Sequence, residues 1–292
     1  MKTQTKRAAG TYLILGIGIL LIIYPLFLTV ISAFKTEPEI TKNFLALPES
    51  FYLGNFKNIL SRPDYYQAVG NTLYITILSL AGMIVVLPMV SYSIARKMDV
   101  SRFYKYLYFF LLVGIFVPFQ VKMMPLIKTM SSLHMLTPTG IIIVYVASSI
   151  CEGVFLYVAF IQGVPTELEE AAYIDGASTA KTYFQIILPL LKPMTATVLI
   201  KMGLWIWNDF FLPLLVLNKS TKYWTLTLFQ YNFKSTFTVD YALVFATFIL
   251  VHAPGVPGVP SPAETDHRRA DQRGGQGLSD AAAYTAGKEI IP

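Results

Sequence analysis

The chain has 292 residues, 54% hydrophobic and only 14% charged, with a formal net charge of +6 and a pI near 9.2. This balance excludes an ordinary soluble domain, and several apolar runs exceed the roughly 20 residues that cross a bilayer, so the class is an all-α polytopic membrane protein. The positive charge fits basic loops beside lipid rather than nucleic-acid binding, because no basic face recurs at helical spacing.

Lys2, Lys6 and Arg7 precede an apolar run over 11–34, leaving 1–10 as a short cytoplasmic N-terminus. At 1.5 Å per residue the run reaches about 36 Å, enough to cross with tilt. It is too long for a signal-peptide core and lacks an A-x-A cleavage site, so it is expected to remain as a first span, kinked at Pro25. A polar segment over 35–70 opens F-K-T-E-P-E-I. A second span is expected over 71–94, followed by a short basic loop with Arg96, Lys97, Arg102 and Lys105. The third is expected over 106–124, with Pro118 inside it and Pro125 closing it, and the fourth over 140–161.

The next stretch, 163–192, is polar although it lies between two apolar runs: G-V-P-T-E-L-E-E-A-A-Y-I-D-G-A-S-T-A-K-T-Y-F-Q-I-I-L-P-L-L-K. Thr166 and Glu169 have capping-box spacing, and three glutamates crowd the start of the helix they predict. Asp175-Gly176 can end that helix, because glycine accepts the left-handed conformation at C′. Ser178 can cap a second helix running towards Pro189. On a helical wheel Leu168, Ala171, Ala172 and Asp175 share one side, and Glu169, Glu170 and Tyr173 the other. Such a helix suits another protein's groove, and a solvated connector has the same shape.

A fifth span is expected over 194–217, and 241–251 begins a sixth with only 11 residues. Ionisable groups at membrane depth point to function. Glu152 and Lys201 both fall roughly 12–14 Å above the cytoplasmic ends of consecutive spans, where they can pair. Alternatively Lys201 snorkels and Glu152 faces a wet cavity. Asn208-Asp209 lies further out, about 24 Å along the fifth span, after Trp205 and Trp207. Aromatic and amide groups together suit a ligand that offers both C–H faces and hydroxyls in a pathway, whereas the tryptophans also fit the outer headgroup belt. The single cysteine, Cys151, reads as a small core residue, and His134, His252 and His267 are too scattered for a metal site. No G-x-x-x-x-G-K-[ST] loop occurs, so the chain is not expected to hydrolyse ATP or to carry a cofactor.

Lys/Arg totals are equal on the two sides, so density orients the chain: three in the first seven residues and four between Arg96 and Lys105. Both clusters are placed in the cytoplasm by the positive-inside rule, and alternation then puts 163–192 there too.

The string Glu170-Ala171-Ala172, Asp175-Gly176-Ala177, Ile187-Leu188-Pro189 resembles the EAA loop of bacterial ABC importer permeases. F-K-T-E-P-E-I and W-N-D-F-F-L-P-L are similar to segments of the maltose-type carbohydrate branch, and the likeness covers about 11–251. It implies a multi-pass inner-membrane permease subunit of a sugar importer, paired with a second, non-identical permease, an ATP-binding subunit dimer and an extracytoplasmic sugar-binding protein. It also implies that the loop couples to the ATPase through Glu167, Glu170, Ala171, Ala172, Asp175 and Gly176. Glu170 is expected to meet a basic residue there, while Glu152, Lys201, Asn208 and Asp209 are pathway candidates. An importer of another solute, such as a polyamine or phosphate, shares the loop, and a secondary transporter is the alternative from another class. No inverted repeat supports the latter.

Past residue 251 the composition turns to Gly, Pro and Arg with the sixth span about half complete. Asp266 to Ser279 can be encoded so that, one base later, the chain reads I-I-A-G-L-T-S-G-A-V-K-G followed by a stop, which resembles the ending of maltose-type permeases. Residues 252–292 are therefore expected to be a frameshifted, disordered tail.

Overall fold

The computed structural model describes residues 2–233 and 240–252, with side chains from residue 11 onward except Leu13, and among these the secondary structure is helical, without strands. The chain divides into a compact unit, 1–247, and a second unit beginning at Phe248. In the second unit, the described residues end α14, where the Phe248 and His252 rings stack at 4.1 Å.

Among the described residues, three helices are long and apolar enough to cross a bilayer: the segment Ile14–Ser32 of α1 (Lys2–Ser32), α4 (Pro63–Lys97) and α7 (Pro138–Gln162). Between α1 and α4, α2 (Glu37–Lys42) and α3 (Gly54–Leu60) form a polar-anchored knot. Lys35, 1% exposed, donates to the Phe44 carbonyl at 2.8 Å, and Asn55 Nδ2 donates to the carbonyls of Ala33 and Lys35. The Glu39 carboxylate accepts the Thr36 N–H at 2.6 Å, closing a capping box on α2. Within F-K-T-E-P-E-I, then, Lys35, Thr36 and Glu39 have a local folding role.

The expected second span is longer than its apolar core, because Pro63 can open a helix at its first position and Arg96 and Lys97 suit its negative end. The third span departs further from expectation. It is split into α5 (Arg102–Ile115) and α6 (Phe119–Ser132), bent by 105°, with Pro118 as the N-cap of α6 and Pro125 inside α6. Pro118 adopts extended backbone, which stops one helix and lets the next begin. After α7, the 163–192 stretch holds α8 (Glu167–Ile174), α9 (Thr179–Thr182), a π-helical segment Tyr183–Ile187 and α10 (Leu188–Leu190). The fifth span is likewise broken, α11 (Lys192–Asn208) ending at Asp209 and α12 (Phe211–Leu217) resuming beyond it. A 3-10 turn, Thr221–Tyr223, and α13 (Leu226–Tyr231) lead towards α14 (Tyr241–His252). Asp240 and Glu37 accept the N–H groups of Leu243 and Ala242, each at 3.0 Å, satisfying the open donors at its start. Burial pushes the Glu37 carboxyl up. The expectation for 253–292 lies outside the described residues.

The core is centred on α4 and α7, with Met83, Leu87, Ile94, Tyr145, Val154, Tyr157 and Ile161 buried. Gly153 permits this crossing, since a Cβ there would stand 2.6 Å from Leu87 Cδ1. By contrast, the described side chains of α1 are mostly exposed in the isolated chain, as in a span whose partners are lipid or other subunits.

Candidate functional site

The short helix α8 is built by its two ends. Val164, Pro165 and Thr166 turn the chain out of α7. Thr166 precedes α8 in helical conformation, and no side-chain cap forms. The expected capping box is therefore absent, because Glu169 is engaged elsewhere. Its Oε1 accepts from Arg96 Nε at 2.7 Å and its Oε2 from the Tyr92 hydroxyl at 2.6 Å. Arg96 Nη2 also donates to the Val164 carbonyl at 2.9 Å. At the other end Gly176 has φ +77°, the Gly176 N–H reaches the Tyr173 carbonyl, and the Ala177 N–H reaches Ala172 at 2.9 Å. This is a Schellman ending with Asp175 as the C-cap. Ser178 then caps α9, accepting the Lys181 N–H at 3.3 Å. Tyr183, in the π-helical segment, packs its ring on Tyr92 at 5.2 Å. Burial pushes its hydroxyl up to about 12, so the ring stays neutral.

Only Glu169 and Ala172 of α8 are buried. Glu167, Glu170, Ala171 and Ile174 lie opposite them, at i, i+3, i+4 and i+7, and are exposed. This rotates the expected wheel: Glu169 leaves the acidic outer face, and Ala172 turns inward at 6% exposure instead of facing a partner. Glu167, Glu170 and Ala171 remain outward, with Asp175 and Gly176 at the turn. Ile174, at 86% exposure, belongs to the same face and was missed. The i, i+3, i+4, i+7 spacing was the signal that could have found it.

Arg96 near one end of α4 touches this loop, while Asn71, 25 residues earlier, donates to the carbonyls of Lys222 and Trp224 at 2.9 Å. At 1.5 Å rise those positions are about 38 Å apart. The basic loop after α4 and the 163–192 stretch therefore share one side, and residues 222–224 sit at the other.

The second group of candidates lies between α7 and α11. Lys201 Nζ and Glu152 Oε1 form an ion pair, with side chains roughly half exposed in the isolated chain. Glu152 also borders a cavity of about 630 Å³ between α7 and the α5–α6 bend, lined by Gly114, Val117, Lys122, Ser148 and Cys151 among others. Asp209 accepts the Tyr145 hydroxyl at 2.8 Å and the Phe211 N–H at 3.1 Å, which makes it a cap at the break in the fifth span. Asn208 Nδ2 donates back to the Leu204 carbonyl at 2.8 Å. Trp205 meets Tyr145 edge-on at 5.3 Å. Glu152–Lys201 and Asn208–Asp209 are thus separate arrangements, not one cluster. No group of three or more potential metal ligands occurs among the described residues.

These features define a multi-pass membrane protein with an acidic helix presented on one side and paired charges within its bundle. Residues 88–254 match the family described as binding-protein-dependent transport system inner membrane component, and the chain belongs to it. It is a transport permease, as the E-A-A…D-G-A…I-L-P string implied. It is 44% identical over 244 residues to the multiple sugar-binding transport system permease protein MsmG of Streptococcus mutans, spanning 82% of this chain and 86% of that one. It is 37% identical over 248 residues to the probable starch degradation products transport system permease protein AmyC of Thermoanaerobacterium thermosulfurigenes, spanning 84% and 89%. The fold is shared, at TM-score 0.75 and 18% identity over 86% of this chain and 93% of the other, with a chain of a bacterial ABC transporter that imports the acidic polysaccharide alginate.

Proposed function

We propose that this chain is one permease subunit of an ATP-driven sugar importer, forming half of the pathway with a second, non-identical permease. The importer's ATPase activity resides on a separate dimer, and an extracytoplasmic binding protein delivers the sugar. The observation that carries the coupling role is the outward face of α8, where Glu167, Glu170, Ala171 and Ile174 are exposed opposite an anchored inner face. Glu170 meets a basic residue of the ATPase, Ala171 permits close approach, and Ile174 enters an apolar cleft. The Asp175–Gly176 turn fixes the length of the helix presented.

The N-terminus and the 163–192 loop face the cytoplasm. The short basic segment 96–105, on the same side as α8, supports that orientation. Glu152, Lys201, Asn208 and Asp209 face the pathway or the second permease, since a charged pair turned to lipid costs several kcal/mol. The sugar class is supported by similarity to permeases named for multiple sugars and for starch degradation products. Co-purification of an ATPase subunit with the tagged chain, followed by a screen of sugars for stimulated ATP hydrolysis in the reconstituted complex, tests both parts. A chain that transports alone, with no ATPase attached, would reject the reading.

A further inference from the structure

The residue that holds α8 to the rest of the subunit is the buried Glu169, one position before the E-A-A string. Its helix has eight residues, too short to be stable by itself, and the only apolar side chain it buries is the Ala172 methyl. What anchors it is polar. Tyr92 and Arg96 are one turn apart on α4, so both point at the same place, and together they occupy both oxygens of the Glu169 carboxylate. The remaining arm of Arg96 takes the Val164 carbonyl, ahead of α8, and the Tyr92 ring packs on Tyr183, well after it. The last turns of α4 therefore grip the loop at three points: before the helix, within it, and beyond it.

At its far end α4 is gripped as well. Asn71 holds the carbonyls of Lys222 and Trp224, and the Thr72 hydroxyl accepts the Leu226 N–H at 2.9 Å. Between the two ends Met83, Leu87 and Ile94 are fully buried. The helix is thus a strut with a polar clamp at each end.

We propose that Tyr92, Arg96 and Glu169 are positioning residues that make α8 and α4 move as one body, so that a displacement of α8 is delivered to residues 222–226. This rests on the reading that α8 docks on the ATPase. Charge-assisted hydrogen bonds to a buried carboxylate resist opening, whereas an apolar contact as small as one methyl does not. The clamp also explains why a glutamate stands on the inner face of a helix whose outer face is already acidic.

The test uses the full complex with its ATPase and partner permease, carrying Cys151→Ser and a spin label at Lys222→Cys on the outer side. In the parent complex, ATP with vanadate changes the label's mobility. With Glu169→Gln that change is lost while the ATPase subunit still co-purifies at the parent level. The pair Arg96→Gln with Glu169→Gln is no worse than Glu169→Gln alone, because the two groups act as one unit. With residue 222 labelled through a ketone-bearing unnatural side chain instead of a cysteine, Arg96→Cys with Glu169→Cys, joined by a short bismaleimide, restores the response, since a covalent link replaces the clamp. A purely structural role would lower the yield of complex and leave the response per assembled complex intact. The proposal is overturned if Glu169→Gln responds normally, if the covalent bridge abolishes the response, or if a label at 222 fails to respond in the parent. Loss of the ATPase subunit from Glu169→Gln also overturns it, because Glu169 would then be a docking group. Retention of the ATPase by Glu170→Lys strikes instead at the docking reading.

Discussion

Tyr145 on α7 and Asp209 at the break in the fifth span are joined by a hydroxyl-to-carboxylate hydrogen bond of 2.8 Å. The same carboxylate accepts the Phe211 N–H at the start of α12, and the Asp209 carbonyl accepts the Thr227 hydroxyl at 2.8 Å. Asp209 thus ties together α7, α12 and α13. Asp209→Ala is expected to cost about 1–3 kcal/mol, since it strands a buried hydroxyl and removes a cap. Asp209→Asn keeps one acceptor oxygen for the Phe211 N–H, and its amide can donate to the Tyr145 hydroxyl oxygen, so it loses less. Thermal unfolding of the purified complex checks the order, and an Asp209→Ala protein that melts with the parent would remove the capping role.

Gly176 is a second position where geometry sets the cost. Its φ of +77° is left-handed, and a Cβ there would meet nothing within 4 Å. Gly176→Ala therefore carries a conformational penalty of about 1–2 kcal/mol without any clash. Gly176→Asn, which tolerates that conformation better, should lie between. Amide exchange in α8 reads the effect directly: protection unchanged by alanine would mean that the Schellman ending does not hold the helix.

The outer face of α8 makes its own prediction. Glu170→Lys and Ile174→Asp are each expected to leave membrane insertion intact and to release the ATPase subunit during purification. Leu168→Ala, on the flank, should be milder. Normal uptake in cells carrying Glu170→Lys would sink the coupling assignment.

Much of this was legible in the chain because it rests on local chemistry. Gly176 and Ser178 were readable as a stop and a start from residue type alone. What the sequence hid was non-local. Thr166 and Glu169 have capping-box spacing, but Glu169 is drawn away by Tyr92 and Arg96, more than 70 residues earlier, where a guanidinium and a hydroxyl replace the single backbone donor of a cap. That capture also turned the helix so that Ala172 faces inward. The break at Asp209 was hidden by hydropathy, since W-N-D-F-F-L-P-L is apolar enough to read as continuous span. Pro118 was visible, yet its position does not by itself choose between a kink and a 105° corner.

Glu152 and Lys201 form an ion pair between α7 and α11. Neutralising one leaves the other uncompensated at membrane depth, a cost on the order of 2–3 kcal/mol. Glu152→Gln with Lys201→Met removes both charges and should be milder than either alone. Uptake and thermal stability of the four proteins complete the cycle. Strictly additive losses would reject the pair as an energetic unit.

Helix α14 carries an apolar run, yet its 12 residues reach only about 18 Å against the roughly 30 Å of hydrocarbon. The family match ends at residue 254, close to where Gly and Pro replace the aliphatic residues. We propose that the reading frame shifts near His252. Codons for Asp266 to Ser279 can be chosen so that a one-base shift yields I-I-A-G-L-T-S-G-A-V-K-G and then a stop, an ending like that of maltose-type permeases. Codon choice gives freedom, so a merely apolar run would prove little, whereas a family-like ending placed directly before a stop is far harder to obtain by chance. Resequencing the gene decides the matter, because the actual codons either produce that ending when shifted or do not. If they do, and the shift is present in the organism, restoring the frame should raise transport from an impaired level. Codons that give no such ending end the idea.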